Sequence, residues 1–207
     1  MPSNPLAWWR RGFPTAHRLI LERKIAERLP RLTGAVLVLG AGHDPYRDLL
    51  SGASSVLTTD ISDEYGTVDR IADAHDLPFE DESFDCVVAI EVFEHLASPS
   101  KAGGEVLRVL KRGGTGVVSI PFMFHVHGDP YDFSRLTKSG LEQLFLEASA
   151  ISVGEMGGRL HVISDLVTTA ARPLAAMRVI NHVFRLPYLR SQASADCPSG
   201  YWMEVIK

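Results

Sequence analysis

Cysteine is scarce in this 207-residue chain: Cys86 and Cys197 are the only two. Two are too few for a disulfide framework or a four-cysteine zinc site, and a reducing cytoplasm is the expected compartment. Long apolar runs are missing as well. The strongest, Ala35–Leu39 and Cys86–Ile90, are strand-sized and fall far short of the roughly 20 residues of a spanning helix. Arg10-Arg11-Gly12-Phe13 is like a twin-arginine signal, but Pro14, His17, Arg18 and Glu22 occupy the place of the apolar stretch that such a signal needs, so export is not expected. The formal net charge of -4 speaks against a generally basic nucleic-acid binder. There is no Walker loop and no Gly-x-Ser-x-Gly elbow, which disfavours kinase and hydrolase chemistry. Internal repeats and low-complexity linkers are absent too. What remains is ordinary globular composition, 45% hydrophobic and 22% charged, at a length that predicts one domain.

Charge is unevenly placed. Residues 1–31 hold seven Lys/Arg against two acids, residues 60–105 hold two against thirteen, and residues 159–190 hold five against Asp165 alone. The acidic middle is the expected seat of the chemistry. The basic ends are also apolar, a combination that fits contact with a membrane surface, but helices that pack on a sheet with Arg facing water are the expected reading.

Apolar periodicity predicts helices over 16–29, 101–110, 141–148 and 160–185, the last kinked or split at Pro173, and a short helix over 45–50. Strands are expected at 35–39, 55–59, 68–72, 84–90, 116–120, 150–156 and 201–206, with Gly113-Gly114 as a turn. Strands alternating with helices predict a parallel α/β sheet covered on both faces.

Three motifs carry chemistry. In the first, a buried strand runs into Gly40-Ala41-Gly42, and Asp60 stands twenty residues after Gly40, at the end of the next strand. Glycine lets backbone approach a ligand closely, and an acid at that place accepts hydrogen bonds from ribose hydroxyls. A dinucleotide loop needs a third glycine where this chain has Pro45, so the pattern fits an adenosine-type ligand without a diphosphate. The second motif runs from Ala72 to His95, with Asp73, Leu77-Pro78-Phe79, Ser83-Phe84-Asp85 and Glu91-x-x-Glu94-His95-Leu96. The third is Pro121 to Thr137, just after the fifth strand, where open α/β folds bind ligands.

Taken together, residues 33–150 resemble the class I S-adenosylmethionine-dependent methyltransferases of the type 11-like small-molecule branch. Leu110-Lys-Arg-Gly-Gly-Thr-Gly116 is similar to that family's entry into the fifth strand. The resemblance implies a three-layer Rossmann-like fold with seven strands in order 3-2-1-4-5-7-6, the seventh antiparallel. It implies a single domain over 1–207, with 1–31 as a helical cap and 157–195 as a helical insertion. S-adenosylmethionine is the implied cofactor. Gly40, Ala41 and Gly42 would lie under its amino-acid part, Asp60 on the ribose, Ile61 on the adenine, Asp73 and Ala74 at the adenine edge, and Glu91 near the methionine moiety. The chain departs from the family at Val38, where an acid is usual, and at Asp44, where a third glycine is usual.

The spacing His127-x-x-Pro130-x-Asp132-x-x-Arg135-x-Thr137 resembles a subgroup associated with cell-surface glycan synthesis. It implies a small or lipid-linked acceptor, a sugar hydroxyl for example, with no nucleic-acid partner. A cytoplasmic location, or the inner face of the membrane, goes with it. A hydroxyl acceptor calls for a base. His125, His127, Asp129 and Asp132 are candidates. His127 is the expected base, oriented by Asp132, with Arg135 holding an anionic group of the acceptor. Equally, Asp132 and Arg135 pair to brace the loop. His125, His127 and Asp129 as a metal triad is a third reading, although the surrounding Pro and Gly argue for a plain loop. His95 is expected to be structural, His43 and His75 to border the cofactor motifs, and Cys86 to be a small core residue. A catalytically silent binding protein with this fold and a nicotinamide-dependent oxidoreductase are the alternative functions.

Overall fold

The computed structural model describes residues 14–42, 46–127, 131–170 and 193–207. Its elements are α1 (Ala16–Arg28), β1 (Gly34–Leu39), β2 (Ala53–Asp60), β3 (Arg70–Ile71), β4 (Phe84–Ile90), α2 (Pro99–Val109), β5 (Leu110–Pro121), α3 (Lys138–Gln143), β6 (Ala150–Met156), α4 (Arg159–Ala170) and β7 (Gly200–Ile206). Short 3-10 turns follow α1, precede β2 and follow β4.

The strands form one sheet in the order β3-β2-β1-β4-β5-β7-β6. Pairs β1–β2, β1–β4, β2–β3 and β4–β5 are parallel. β7 runs the other way: Gly113 and Gly114 bond Lys207 at one end while Phe122 bonds Ser199 at the other. Such an order follows from residues buried on both faces. Val36, Leu37, Val38 and Leu39 in β1, and Val87, Val88 and Ala89 in β4, are all buried, as central parallel strands require. Val38 therefore sits in the core, paired to Thr58 and Val88.

The chain divides into two compact units. One comprises Ile25–Pro121, Val126–Gly154 and Tyr201–Lys207; the other comprises Met1–Lys24, Phe122–His125 and Glu155–Gly200. In the second unit, α1 starts on a buried acid: the Asp165 carboxylate accepts from the amides of Ala16 at 2.7 Å and His17 at 2.9 Å. An anion there satisfies donors that the helix itself leaves unpaired.

Three elements differ from the sequence expectation. Gly113-Gly114 is not a turn between elements. β5 already begins at Leu110, and the pairing with β4 slips between Phe84 and Cys86, so Lys111–Gly114 form a bulge with Gly113 at φ +74°. The helix expected over 141–148 is helical only at Lys138–Gln143, where the Thr137 hydroxyl caps the amide of Gly140. The apolar positions behind the 160–185 periodicity include 163, 166 and 167, yet in α4 Ile163, Leu166 and Val167 are exposed while His161, Val162, Asp165 and Thr168 are buried. The bonds to Asp165 hold the polar face inward. The rest of the 160–185 helix, the 171–192 part of the insertion, the first residues of the cap with Trp8 and Trp9, His43, Asp44, Pro45, Asp129 and Pro130 lie outside the described residues.

Candidate functional site

A cleft of about 490 Å³ opens at the carboxyl ends of β1, β2 and β4, the edge where parallel α/β sheets bind ligands. Gly40, Gly42, Asp60, Ile61, Asp73, Ala74 and Glu91 all line it. Ala41 lies beneath, buried, its amide donating to the carbonyl of Thr59 at 3.0 Å.

The glycines are dictated by backbone. Gly40 has φ +61°, and a Cβ there would meet Val92 Cγ2 at 2.5 Å. Gly42 has φ +54° and donates its amide to Asp60 Oδ2 at 2.8 Å. Asp60 Oδ1 accepts from the amide of Ile61 at 2.7 Å. Each carboxylate oxygen keeps a further lone pair, so Asp60 is anchored and can still accept. The Gly42 carbonyl takes the Thr67 hydroxyl at 2.9 Å. Asp69 then fastens the segment after Thr67 to β2, through Arg47 at 2.7 Å and the Thr58 amide at 2.8 Å. Ile61 is 60% exposed, an apolar side chain held in water at the rim of the cleft.

The second wall is built around Asp73. Its Oδ1 accepts from the amide of His75 at 2.9 Å and faces His75 Nδ1 at 2.6 Å. His75 Nε2 accepts from the amide of Ser98 at 3.1 Å, so the proton sits on Nδ1 and is donated to Asp73. The His75 amide, against the opposing effect of burial, holds the Asp73 carboxyl below the usual carboxylate range. No hydrogen bond reaches Asp73 Oδ2 from the described residues. The segment after Asp73 is clamped by Arg108, which donates to the carbonyls of Leu77 and Phe79 at 2.8 and 2.7 Å and to Asp81 and Glu105 at 2.8 Å each. Asp73 stands four residues before the clamped Leu77, next to this strap.

Glu91, directly after β4, has φ +55°, an uncommon conformation for a residue with a side chain. Its Oε1 accepts from the Ser119 hydroxyl at 2.8 Å, and its amide donates to the Ser119 carbonyl at 3.1 Å.

Beside this cleft the third motif closes on itself. The Asp132 carboxylate forms a two-pronged pair with Arg135 and accepts from the amide of His127 at 2.8 Å. Burial works to raise the Asp132 carboxyl, but Arg135 and the His127 amide outweigh it and hold it below the usual range. His127 Nδ1 lies 3.4 Å from Asp132 Oδ2. The three expected residues are therefore together, and the Arg135 guanidinium is turned to Asp132. The His125 ring lies tilted against that of Phe124, with 4.3 Å between centroids.

Sequence reasoning does not place several residues on the cleft that are there. His95, Leu96, Tyr131 and Phe133 line it, and Glu94 lies fully buried beside His95. The run Glu94-His95-Leu96 stands in the second motif, but nothing in composition shows that its acid points inward. Burial, with the charge of Glu91 nearby, pushes the Glu94 carboxyl up to about 9. Cys86 is a core residue, its thiol pushed up by burial.

Known proteins share this architecture. The fold is the Rossmann-like fold of S-adenosylmethionine-dependent methyltransferases. It matches an S-adenosylmethionine-dependent methyltransferase of Thermotoga maritima at TM-score 0.65, with 16% identity over 98% of this chain and 96% of that one. Residues 37–118 match the family model described as the methyltransferase domain. An uncharacterized protein of Methanocaldococcus jannaschii is 32% identical over 98 residues, 46% of this chain and 48% of that one. Demethylmenaquinone methyltransferase of Clavibacter sepedonicus is 49% identical over 47 residues, 23% of this chain and 19% of the enzyme. The chain thus spans about half or less of the length of these curated relatives. Among the described residues, no helix is long and apolar enough to cross a membrane.

Proposed function

We propose that the protein is an S-adenosylmethionine-dependent methyltransferase acting on a small or lipid-linked acceptor through a hydroxyl group. The observation that carries it is the pair of carboxylates, Asp60 and Asp73, on one cleft with the Gly40–Gly42 turn. Asp60 has lone pairs for two vicinal ribose hydroxyls. Asp73 Oδ2 is open to the exocyclic amine of adenine, with Ala74 beside it. Ile61 packs on the ring. Glu91, anchored by Ser119, supplies negative charge toward the cationic methionine end, and Gly40 and Gly42 let that end approach the backbone. When bound, the cofactor supplies a methyl group on a sulfonium. The protein's own part is to orient it, exclude water and hold the acceptor in line.

His127 is the acceptor-side group of this reading, with Asp132 as its positioning partner. Arg135 serves as the brace of Asp132 rather than as the holder of an acceptor anion, since its guanidinium is already engaged. A glycan hydroxyl is the acceptor favoured by the His127 to Thr137 pattern. The 1–31 and 157–195 segments are proposed to serve the acceptor. A lipid-linked acceptor would bring the basic, apolar ends to a membrane surface, which flotation with anionic vesicles tests.

The test of function is transfer of a labelled methyl group from S-adenosylmethionine to a panel of sugar, lipid-linked and amine acceptors. Turnover on hydroxyl acceptors, reduced in His127→Ala with cofactor affinity kept, supports the reading. Cofactor binding with no transfer to any acceptor would leave a silent methyltransferase fold instead.

A further inference from the structure

We propose that Glu94, His95 and His127 form a binding site for one divalent transition-metal ion in the wall of the cofactor cleft. Ion binding stands on its own; the use made of the ion rests on the methyltransferase reading above. One donor atom from each of the three residues lies within 4.8 Å of the other two.

Glu94 is what demands an explanation. Its side chain is 0% exposed, and neither carboxylate oxygen has a hydrogen-bond partner among the described residues. Burying such a group without a partner is costly. The neighbouring His95 Nε2 stops 3.5 Å from Oε1. That is long for a hydrogen bond, but it matches the roughly 3.4 Å between two ligands of a tetrahedral ion bound at about 2.1 Å.

The outer contacts fit as well. His95 Nδ1 faces the carbonyl of Tyr131 at 2.5 Å. A carbonyl only accepts, so the proton sits on Nδ1 and the Nε2 lone pair faces Glu94. His127 Nδ1 has Asp132 Oδ2 at 3.4 Å and the Arg135 guanidinium at 3.5 Å. Metal-bound imidazoles have a carbonyl or carboxylate on the other nitrogen, and both kinds occur here. Two imidazoles and one carboxylate suit zinc, manganese, iron or cobalt better than calcium or magnesium, which prefer oxygen throughout. Three protein ligands leave coordination positions open.

His95 lines the cleft beside Glu91 and Asp73, so an open position would serve the acceptor. A hydroxyl bound there loses its proton to solvent more readily and is held as a nucleophile. This narrows the acceptor to oxygen and makes His127 a ligand in place of a general base, with Asp132 positioning it.

The test is titration of the metal-stripped full chain with Zn²⁺ by calorimetry and with Co²⁺ by visible absorption. S-adenosylmethionine is titrated separately into the same samples. One ion per chain, a Co²⁺ d–d band, at least tenfold weaker binding in both Glu94→Gln and His127→Ala, and unchanged binding in His125→Ala are expected. Circular dichroism checks the fold of Glu94→Gln, and His127, about a third exposed, supplies a variant that does not disturb the core. No saturable binding by the folded wild type, or binding untouched by both substitutions, overturns the site. Zinc binding without cofactor binding would remove the methyltransferase reading and keep the metal site; the reverse pattern would remove only the metal site.

Discussion

The amide of Gly42 donates to Asp60 Oδ2 at 2.8 Å, so the carboxylate proposed for the ribose also holds the glycine turn in place. Ligand contact and loop geometry share one side chain. Replacing Asp60 therefore costs twice, through lost acceptors for the hydroxyls and through a released turn. Asp60→Ala is expected to weaken S-adenosylmethionine binding at least 30-fold, about 2 kcal/mol or more for two charge-assisted hydrogen bonds. The far-ultraviolet spectrum should be retained. Calorimetry on the folded variant checks this, and wild-type affinity would remove Asp60 from the site.

Gly40 is constrained from two directions, by φ +61° and by Val92 Cγ2 at 2.5 Å from any added Cβ. Gly40→Ala is expected to destabilise the protein by about 1–3 kcal/mol, from left-handed strain and overpacking. Urea unfolding measures it. A loss below about 0.5 kcal/mol would mean that the turn relaxes freely.

Asp69 gives a pH signature. The Arg47 guanidinium and the Thr58 amide hold its carboxyl below the ordinary value, against burial. A depressed native pKa stabilises the fold above the unfolded pKa, and that contribution disappears as pH falls through the native one. Asp69→Asn is therefore expected to lower stability at pH 7 by under about 1 kcal/mol, since the pair is partly exposed. The difference should shrink as pH falls through the lowered native pKa. Urea midpoints for both proteins from pH 2.5 to 7 read the difference; a gap that widens toward acid would reverse the assignment.

Arg108 tests the clamp on the second wall. Arg108→Ala frees the carbonyls of Leu77 and Phe79 and takes from Glu105 the partner that chiefly holds its carboxyl low against burial, leaving it the Leu77 amide and the charge of Lys101. A loss of about 2 kcal/mol in stability is expected, as for a partly buried charge network. Weaker cofactor binding should accompany it, because Asp73 stands next to this strap. Stability lost with affinity untouched would show that the strap does not govern Asp73.

Much of the cleft lining was legible because each piece has a local cause. Val36–Leu39 and Cys86–Ile90 are apolar throughout, and only a strand buried on both faces accounts for that. Gly40, Gly42 and Asp60 are then set by what must happen at the end of such a strand. The bulge at Lys111–Gly114 was not legible, since two glycines mark a turn and a bulge alike. The inward face of α4 was misleading because the bonds between Asp165 and the start of α1 connect residues nearly 150 positions apart. Glu94 was missed for the same reason: its burial is a tertiary fact, and the sequence shows only one acid among many in the region.

The central claim is that the Gly40–Gly42, Asp60 and Asp73 cleft holds S-adenosylmethionine. Calorimetric titration of the purified chain with S-adenosylmethionine and its demethylated product, with NAD as control, tests it most directly. Saturable binding of one molecule per chain for the first two, and none for NAD, is the expected result. A folded protein that binds neither would contradict the account and leave the cleft without its proposed ligand.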